Sequence, residues 1–326
     1  MARRFSVGMV AVIILIVGAA GCTVTKETTV KKVEPVKTVK IRLGVLPVED
    51  ALPIFVAEQK GYFKKNNLDV EIVNFESALE CDAALQAGQI DGFMGDILGA
   101  ALLENAGFDV SIVTTVLGAT PKEGRFAIVS APGSGITKLE QLKNVPIGIA
   151  SNTVIEYMVD ESLQAKGLKK DEIKTIEVKK LPVRLQMLLG GQLQAAGLPN
   201  LMVVLAEKQG ATVVVDDTKG NNLSQTIVLF KTAFVRDNKP GVERFLKSLN
   251  ESAAAINKNP KSFRSLLVEK AKLPETLAGT YEVSVYPSAA LPKKPDVDRL
   301  LSWMKDKQLI KSGITYDKIS MKVEAR

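Results

Sequence analysis

The sequence contains no histidine and only two cysteines, Cys22 and Cys81, among its 326 residues. Without histidine the chain cannot form a Ser-His-Asp or Cys-His catalytic site, or a metal site that includes histidine. Two cysteines are too few for a cysteine-rich zinc or iron–sulfur centre. Cys81 lies within a helical pattern, which favours a small buried packing residue over a nucleophile. We therefore predict neither a cofactor nor a metal.

The chain also has little net charge outside its N-terminal segment. The formal charge is +7, and residues 1–40 hold seven Lys and Arg but only two Glu. Because the rest of the chain is nearly balanced, it offers no basic stripe that could follow a phosphate backbone. We therefore predict that nucleic acid is not a partner. The length of 326 residues predicts about two domains.

The first 22 residues have the pattern of a secretion signal. Two arginines precede an apolar run over 7–20, which as a helix would be about 21 Å long, shorter than the ~30 Å core of a membrane. The sequence Ala19-Ala20-Gly21-Cys22 resembles the lipobox of bacterial lipoproteins, although those proteins usually carry Leu in place of Ala19. The resemblance implies that Cys22 is acylated and anchors the protein to the outer face of a membrane. An ordinary signal peptide that ends near a cysteine is the alternative. Residues 23–40 lack an apolar period and predict a flexible tether.

The rest of the chain alternates short apolar strands with amphipathic helices, which is typical of parallel sheets flanked by helices. The order recurs about a hundred residues later: Gly88-Gln89-Ile90 matches Gly191-Gln192-Leu193 at an offset of 103, and Leu43-Gly44-Val45 resembles Ile147-Gly148-Ile149. We therefore predict two similar α/β lobes, the first formed by residues 41–127 and 226–326 and the second by residues 128–225. Apolar stretches at 126–129 and 226–230 predict two crossovers, which we interpret as the paired strands of a hinge. The helical pattern beyond Val235 should pack back on the first lobe.

Several segments, in the same order along the chain, resemble the nitrate/sulfonate/taurine-type solute-binding proteins. They are the stretch from Phe55 to Lys65, the stretch from Leu85 to Asp91, and the turn Ala150-Ser151-Asn152-Thr153. The likeness covers most of residues 41–310 and implies the two-lobed type II periplasmic-binding-protein fold. It further implies a monomeric extracytoplasmic receptor of an ABC importer, whose partners are a small solute, a permease with its ATPase, and the membrane. The enzymatic relatives of this family depend on His or a reactive Cys, so we do not expect an enzyme.

Candidate ligand contacts follow from the rule that ligands bind beyond the carboxyl ends of parallel strands. In the second lobe, the turn Ser151-Asn152-Thr153 opens a helix whose N–H groups favour an anion, although simple N-capping is the alternative. Pro47, Glu49 and Asp50 lie in the equivalent loop of the first lobe, where Glu49 and Asp50 are either ligand contacts or solvated acids. The other candidates are Ser77 and Asp96, with helix capping as the alternative, and Arg125 and Arg184, with a surface position as the alternative. The resemblance adds Asn200, where related proteins often carry an acid.

Acids outnumber arginines on the predicted cleft loops, which argues against a simple inorganic anion as the ligand. The composition favours a small organic solute, sulfonate or pyrimidine-like, that combines an amine or ring N–H with an anionic end. Methionine or another amino acid is the alternative solute, with Arg125 for its carboxylate and Asp96 for its ammonium group. A lipid-anchored hydrolase or isomerase that uses acids such as Asp96 is a further alternative, which the missing histidine disfavours.

Overall fold

The computed structural model describes residues 37–120, 123, 125–218 and 223–325. The predicted signal sequence, the acylated Cys22 and residues 23–36 of the predicted tether lie outside the described residues and stay predictions. The first strand already begins at Val39, within the stretch predicted as a tether. In the described ranges, no helix is both long and apolar enough to cross a membrane.

The described residues contain two five-stranded sheets. The first sheet has the strand order β2-β1-β3-β10-β4, and the second has the order β7-β6-β8-β5-β9. The strands are β1 (Val39–Val45), β2 (Leu68–Asn74), β3 (Gly92–Asp96), β4 (Val110–Leu117), β5 (Phe126–Ser130), β6 (Pro146–Ile149), β7 (Lys174–Glu177), β8 (Ala195–Pro199), β9 (Thr212–Asp216) and β10 (Thr226–Lys231).

Helices cover both sheets. They are α1 (Leu52–Gln59), α2 (Tyr62–Lys65), α3 (Ala78–Gln86), α4 (Ile97–Asn105), α5 (Val154–Gln164), α6 (Leu181–Leu189), α7 (Asn200–Lys208), α8 (Thr232–Asp237), α9 (Lys239–Lys258), α10 (Arg264–Ala271), α11 (Glu275–Ala278), α12 (Lys294–Asp306) and α13 (Tyr316–Ile319). We call the first sheet with α1–α4 and α8–α13 the first lobe, and the second sheet with α5–α7 the second lobe.

The two sheets share one topology, which confirms the predicted two-lobed α/β fold. β1, β2, β3 and β4 correspond to β6, β7, β8 and β9, while β10 corresponds to β5. The prediction of purely parallel sheets was wrong. In the first sheet β10 runs antiparallel to both of its neighbours, and in the second sheet β5 does the same. The reason is that these two strands enter from the crossovers rather than from a preceding helix.

The two crossover strands do not pair with each other, which corrects the predicted paired hinge strands. β5 lies between β8 and β9, whereas β10 lies between β3 and β4. The chain therefore passes between the lobes just before Phe126 and again just before Thr226. These passages are tied together, because Phe126 N donates to Asp217 Oδ1 at 2.8 Å and Asp217 N donates to the Phe126 carbonyl at 3.1 Å. Asp217 also accepts a hydrogen bond from Ser224.

The repeat recognised in the sequence has a packing counterpart. A Cβ added at Gly44 would lie 2.9 Å from Ile90 Cδ1, and one added at Gly148 would lie 2.5 Å from Leu193 Cδ1. Both distances are shorter than real Cβ contacts, so a larger residue would force Ile90 or Leu193 to move, and the same close contact favours glycine in each lobe.

Helix α12, near the C terminus, packs against α4 of the first lobe, as predicted. It also reaches the second lobe. The rings of Trp303 and Tyr157 meet edge to face with centroids 5.3 Å apart. Lys307 Nζ lies 2.6 Å from Glu156 and 2.8 Å from Asp160, both on α5. Helix α12 is therefore part of the contact between the lobes.

Candidate ligand-binding site

A cavity of about 90 Å³ lies between the lobes. Its lining includes Leu46, Asp96, Ala150 and Pro199, which stand at the carboxyl ends of β1, β3, β6 and β8. These ends belong to both sheets, so the cavity is where the general rule for open α/β sheets places a ligand.

The lining is mostly apolar, with a few polar side chains. The apolar part comes from both lobes and includes Leu46, Val48, Met94, Phe126, Ile155 and Leu181. Among the predicted ligand contacts, Ser77, Asp96, Thr153 and Arg184 line the cavity. Whether they bind a ligand stays a prediction.

Asp50, which the sequence placed beside Glu49 as either a ligand contact or a solvated acid, also lines the cavity. It follows Glu49 in the loop after β1, so its position in the sequence was the signal for it. Its carboxylate accepts a hydrogen bond from the Thr226 hydroxyl. Burial raises the pKa of Asp50 to about 6, although the bond from Thr226 opposes the shift.

Asp96 connects the lobes across the cavity. It ends β3, and its Oδ1 accepts from Gly99 N at 2.7 Å, which caps helix α4. Its Oδ2 accepts from Val154 N, the first residue of α5 in the second lobe, at 3.3 Å. Burial raises the pKa of Asp96, while these main-chain N–H groups oppose the shift.

Carboxylates of the chain itself occupy the predicted anion seat at the start of α5. Ser151 donates through N at 2.8 Å and through Oγ at 2.6 Å to Glu177 Oε2. Asn152 N donates to Glu156 Oε2 at 2.7 Å, and Asn152 has the left-handed φ of 59° that asparagine tolerates. The N–H groups of Ser151 and Asn152 are therefore already paired in this structure, and ligand binding at this turn stays a prediction.

Arg184 directs its guanidinium group to main-chain carbonyls rather than into the cavity. Nε and Nη2 donate to the Val178 carbonyl at 2.9 and 2.8 Å, and Nη1 donates to the Gly197 carbonyl at 3.0 Å. The side chain is 1% exposed, and burial lowers the pKa of the guanidinium to about 10. The geometry therefore gives Arg184 a structural role, holding the segment before α6 against β8.

Glu49 is fully buried, so the reading of this residue as a solvated acid was wrong. Its Oε2 accepts from Asn200 Nδ2 at 2.9 Å and from the Tyr281 hydroxyl, while Oε1 accepts from Ser284 N at 2.7 Å. We call Glu49, Asn200, Tyr281 and Ser284 the Glu49 network. It joins α7 of the second lobe to the first lobe.

The remaining candidates lie beside the cavity rather than on it. Arg125 Nε donates to Asn200 Oδ1 at 3.3 Å, and its Nη2 lies 2.8 Å from Glu207. Arg125 and Asn200 line a separate groove, and Pro47 is not in the lining of either space. Within the parts of the chain that the structure describes, no three His, Cys, Asp or Glu side chains are placed to share a metal ion.

Asp82 on α3 carries a buried carboxylate oxygen, Oδ1, without a hydrogen-bond partner among the described residues. Burial and the nearby charge of Asp96 raise its pKa to about 7. The folded protein therefore keeps a proton that the unfolded chain releases near pH 4, so the stability from this group is full below pH 4 and is lost as the pH rises through 7. We expect Asp82→Asn to raise the free energy of unfolding by about 1–3 kcal/mol at pH 8.

Urea unfolding at pH 4.5 and pH 8 checks this expectation. The gain from Asp82→Asn should be largest at pH 8 and should nearly vanish at pH 4.5. Asp69→Asn, at an exposed position of β2, is the matched control and should change little at either pH. An equal gain at both pH values would show that the carboxylate of Asp82 is not held protonated by its surroundings.

A family model gives the first comparison with known proteins. The model described as NMT1/THI5 like matches residues 49–263, which is more than half of the chain. The chain belongs to the NMT1/THI5-like family. The matched range begins at Glu49 and includes both the cavity loops of the second lobe and the crossover strand β10.

Curated relatives of this NMT1/THI5-like protein match over shorter stretches. A 4-amino-5-hydroxymethyl-2-methylpyrimidine phosphate synthase of Saccharomyces cerevisiae is 27% identical over 127 residues, which is 39% of this chain and 36% of the yeast protein. A nitrate/nitrite binding protein of Nostoc is 26% identical over 135 residues, 41% of this chain and 29% of that one. The chain thus matches about a third of the length of these relatives.

Solved structures match over nearly the whole described fold. The alkanesulfonate-binding protein of Xanthomonas axonopodis, bound to MOPS, has a TM-score of 0.75 at 16% identity and covers 88% of this chain and 100% of its own. The periplasmic nitrate-binding protein of Synechocystis has a TM-score of 0.71 at 14% identity, with 86% of this chain and 84% of its own covered. These likenesses confirm that the NMT1/THI5-like chain has the fold of periplasmic binding proteins.

Proposed function

We propose that this protein is the extracytoplasmic substrate-binding lipoprotein of an ABC importer. It captures a small organic solute in the cavity between its lobes, closes around it, and presents it to a permease. The observation that carries the proposal is the cavity itself, since strand ends of both lobes enclose one small, mostly apolar space. The likeness to sulfonate- and nitrate-binding proteins supports the same role, as does the lipobox pattern that ends at Cys22.

Contacts between the lobes supply a mechanism for closure. Lys180 of the second lobe lies 2.6 Å from Glu76 of the first lobe, and Asp96 bonds to Val154 N across the cavity. An open arrangement loses these contacts and exposes the cavity. A solute shifts the population toward the closed form only by the amount that it binds the closed form better than the open one.

The structure bears differently on the two alternatives. An amino-acid receptor would need Arg125 and Asp96 in the same space, but Asp96 lines the cavity while Arg125 lines the separate groove. An enzyme would need a reactive group, and the yeast relatives carry the name of a synthase. Cys81 is fully buried on α3, where burial raises the pKa of its thiol, and the chain has no histidine. We therefore favour binding without turnover.

Trp303 provides a test because it is the single tryptophan of the chain and contacts Tyr157 across the lobes. We expect a true solute to change the emission of Trp303 and to raise the melting temperature of the full-length protein. At a concentration of 100 times Kd the solute should add about 2.7 kcal/mol to the free energy of unfolding. A screen of sulfonates, pyrimidines and amino acids by both readouts identifies it.

The Trp303→Phe variant is the matched control, since it should keep the rise in melting temperature and lose the change in emission. Recovery of the solute unaltered after incubation supports a receptor. Chemical conversion of the solute during incubation would contradict the proposal and favour the enzymatic alternative.

A further inference from the structure

Three carboxylates of the protein accept hydrogen bonds from main-chain N–H groups at the start of α5. Glu177 and Glu156 take the N–H groups of Ser151 and Asn152 from within the second lobe. Asp96 reaches a further main-chain donor, Val154 N, from the opposite lobe. The first two acids belong to the same lobe as the helix and do not depend on closure, whereas the bond from Asp96 exists only while the lobes are together.

This third carboxylate stands where a ligand anion would stand. Val154 lines the cavity, so its N–H group lies at the cavity wall and not on the outer surface. The N terminus of a helix attracts negative charge through its N–H groups and its dipole. An anionic solute that bound there would have to displace Asp96, which Gly99 N also holds at 2.7 Å.

The remaining charges of the cavity do not create another anion seat. The donors of Arg184 go to the carbonyls of Val178 and Gly197. Lys179 lines the cavity but is exposed to solvent. Asp50, in contrast, is 3% exposed and presents a second carboxylate to the lining. The buried charge that faces a solute is therefore mainly negative.

We propose that the carboxylate of Asp96 occupies, in the closed protein, the position at the start of α5 that an anionic ligand group would take. The cavity therefore selects neutral or cationic solutes that donate N–H hydrogen bonds. Sulfonates, carboxylates and phosphates are disfavoured, since they would meet the buried carboxylates of Asp50 and Asp96. This inference rests on the proposed role as a solute receptor. It revises the expectation of an anionic end on the solute.

The test removes the carboxylate of Asp96, so that the N–H group of Val154 becomes available to an anion. Asp96→Ser keeps an oxygen that can cap α4 at Gly99 but leaves nothing to reach Val154 N. We expect the full-length Asp96→Ser protein to bind methanesulfonate at least tenfold more tightly than the wild type, measured by calorimetry at constant ionic strength with chloride as the reference anion. Asp50→Ser is the matched control, because it removes a carboxylate from the same cavity that does not bond to α5.

Each result decides the matter. A gain confined to Asp96→Ser supports the inference. An equal gain in Asp50→Ser, the absence of any gain, or tight binding of methanesulfonate by the wild type would overturn it. If Asp96→Ser does not fold, the isosteric Asp96→Asn variant is measured by small-angle X-ray scattering. It should show a larger radius of gyration than the wild type, and an unchanged radius would overturn the inference. Binding of methanesulfonate can be measured whether or not the protein delivers a solute to a permease. A failure of this inference is therefore distinguishable from a failure of the proposed receptor role.

Discussion

The Arg184→Ala variant should lose about 3–5 kcal/mol of the free energy of unfolding. The substitution removes a buried guanidinium and leaves the carbonyls of Val178 and Gly197 without the donors that lie 2.8–3.0 Å away. It also leaves a cavity, because the Arg184 side chain is buried and packs beside Gly148 of β6. The effect is large because all of these losses are buried.

Denaturation in urea, followed by circular dichroism, measures this loss. Arg184→Lys is the informative companion, since it keeps the charge but replaces the planar fork of donors by a single ammonium group. We expect Arg184→Lys to fall between the wild type and Arg184→Ala. A loss below about 1 kcal/mol for Arg184→Ala would show that the carbonyls find other donors, and that the guanidinium is held for a ligand instead.

The Glu49→Ala variant should lose a similar amount, about 3–5 kcal/mol. The substitution leaves three donors without their acceptor, namely Asn200 Nδ2, the Tyr281 hydroxyl and Ser284 N. Because Asn200 belongs to the second lobe, the loss should also weaken the contact between the lobes. We therefore expect a larger radius of gyration together with the lower stability.

Glu49→Gln separates charge from hydrogen bonding in the same network. The introduced amide keeps one acceptor oxygen, so the Glu49→Gln variant should retain part of the stability. Its NH₂ group would face one of the three donors and could not accept a hydrogen bond from it. Glu58→Ala, at an exposed position of α1, is the control for loss of a surface carboxylate and should change stability by less than about 0.5 kcal/mol. Equal losses in Glu58→Ala and Glu49→Ala would contradict the role given to the Glu49 network.

The fold was largely predictable from local patterns. The constant offset between Gly88 and Gly191 indicated the repeat, and the structure shows the same glycine packing at Gly44 and Gly148. The direction of β10 was not predictable in the same way. Its sequence is an apolar run like those of the parallel strands, and only its position after an excursion through the second lobe makes it antiparallel.

The site was predictable in place but less so in detail. The rule for strand ends located the loops around Asp96 and Thr153, which do line the cavity. What the sequence could not show is the identity of partners that are distant along the chain. Asp96 and Val154 are 58 residues apart, and Glu49 and Tyr281 are 232 residues apart. A turn that is typical of an anion seat cannot reveal that an acid from another element already fills it.

The place of β10 has a consequence for the order of folding during synthesis. When the ribosome has made residues up to Leu117, β3 and β4 exist but the strand that joins them does not, because β10 is made more than a hundred residues later. The second lobe is contiguous from β5 to β9, so it can collapse first. Until Thr226 emerges, β3 and β4 each have an edge without its partner strand. Completing the first sheet then requires pairing between segments that are distant along the chain, which is slow. Such a delay leaves the first half of the chain without its complete sheet after the second lobe has been made.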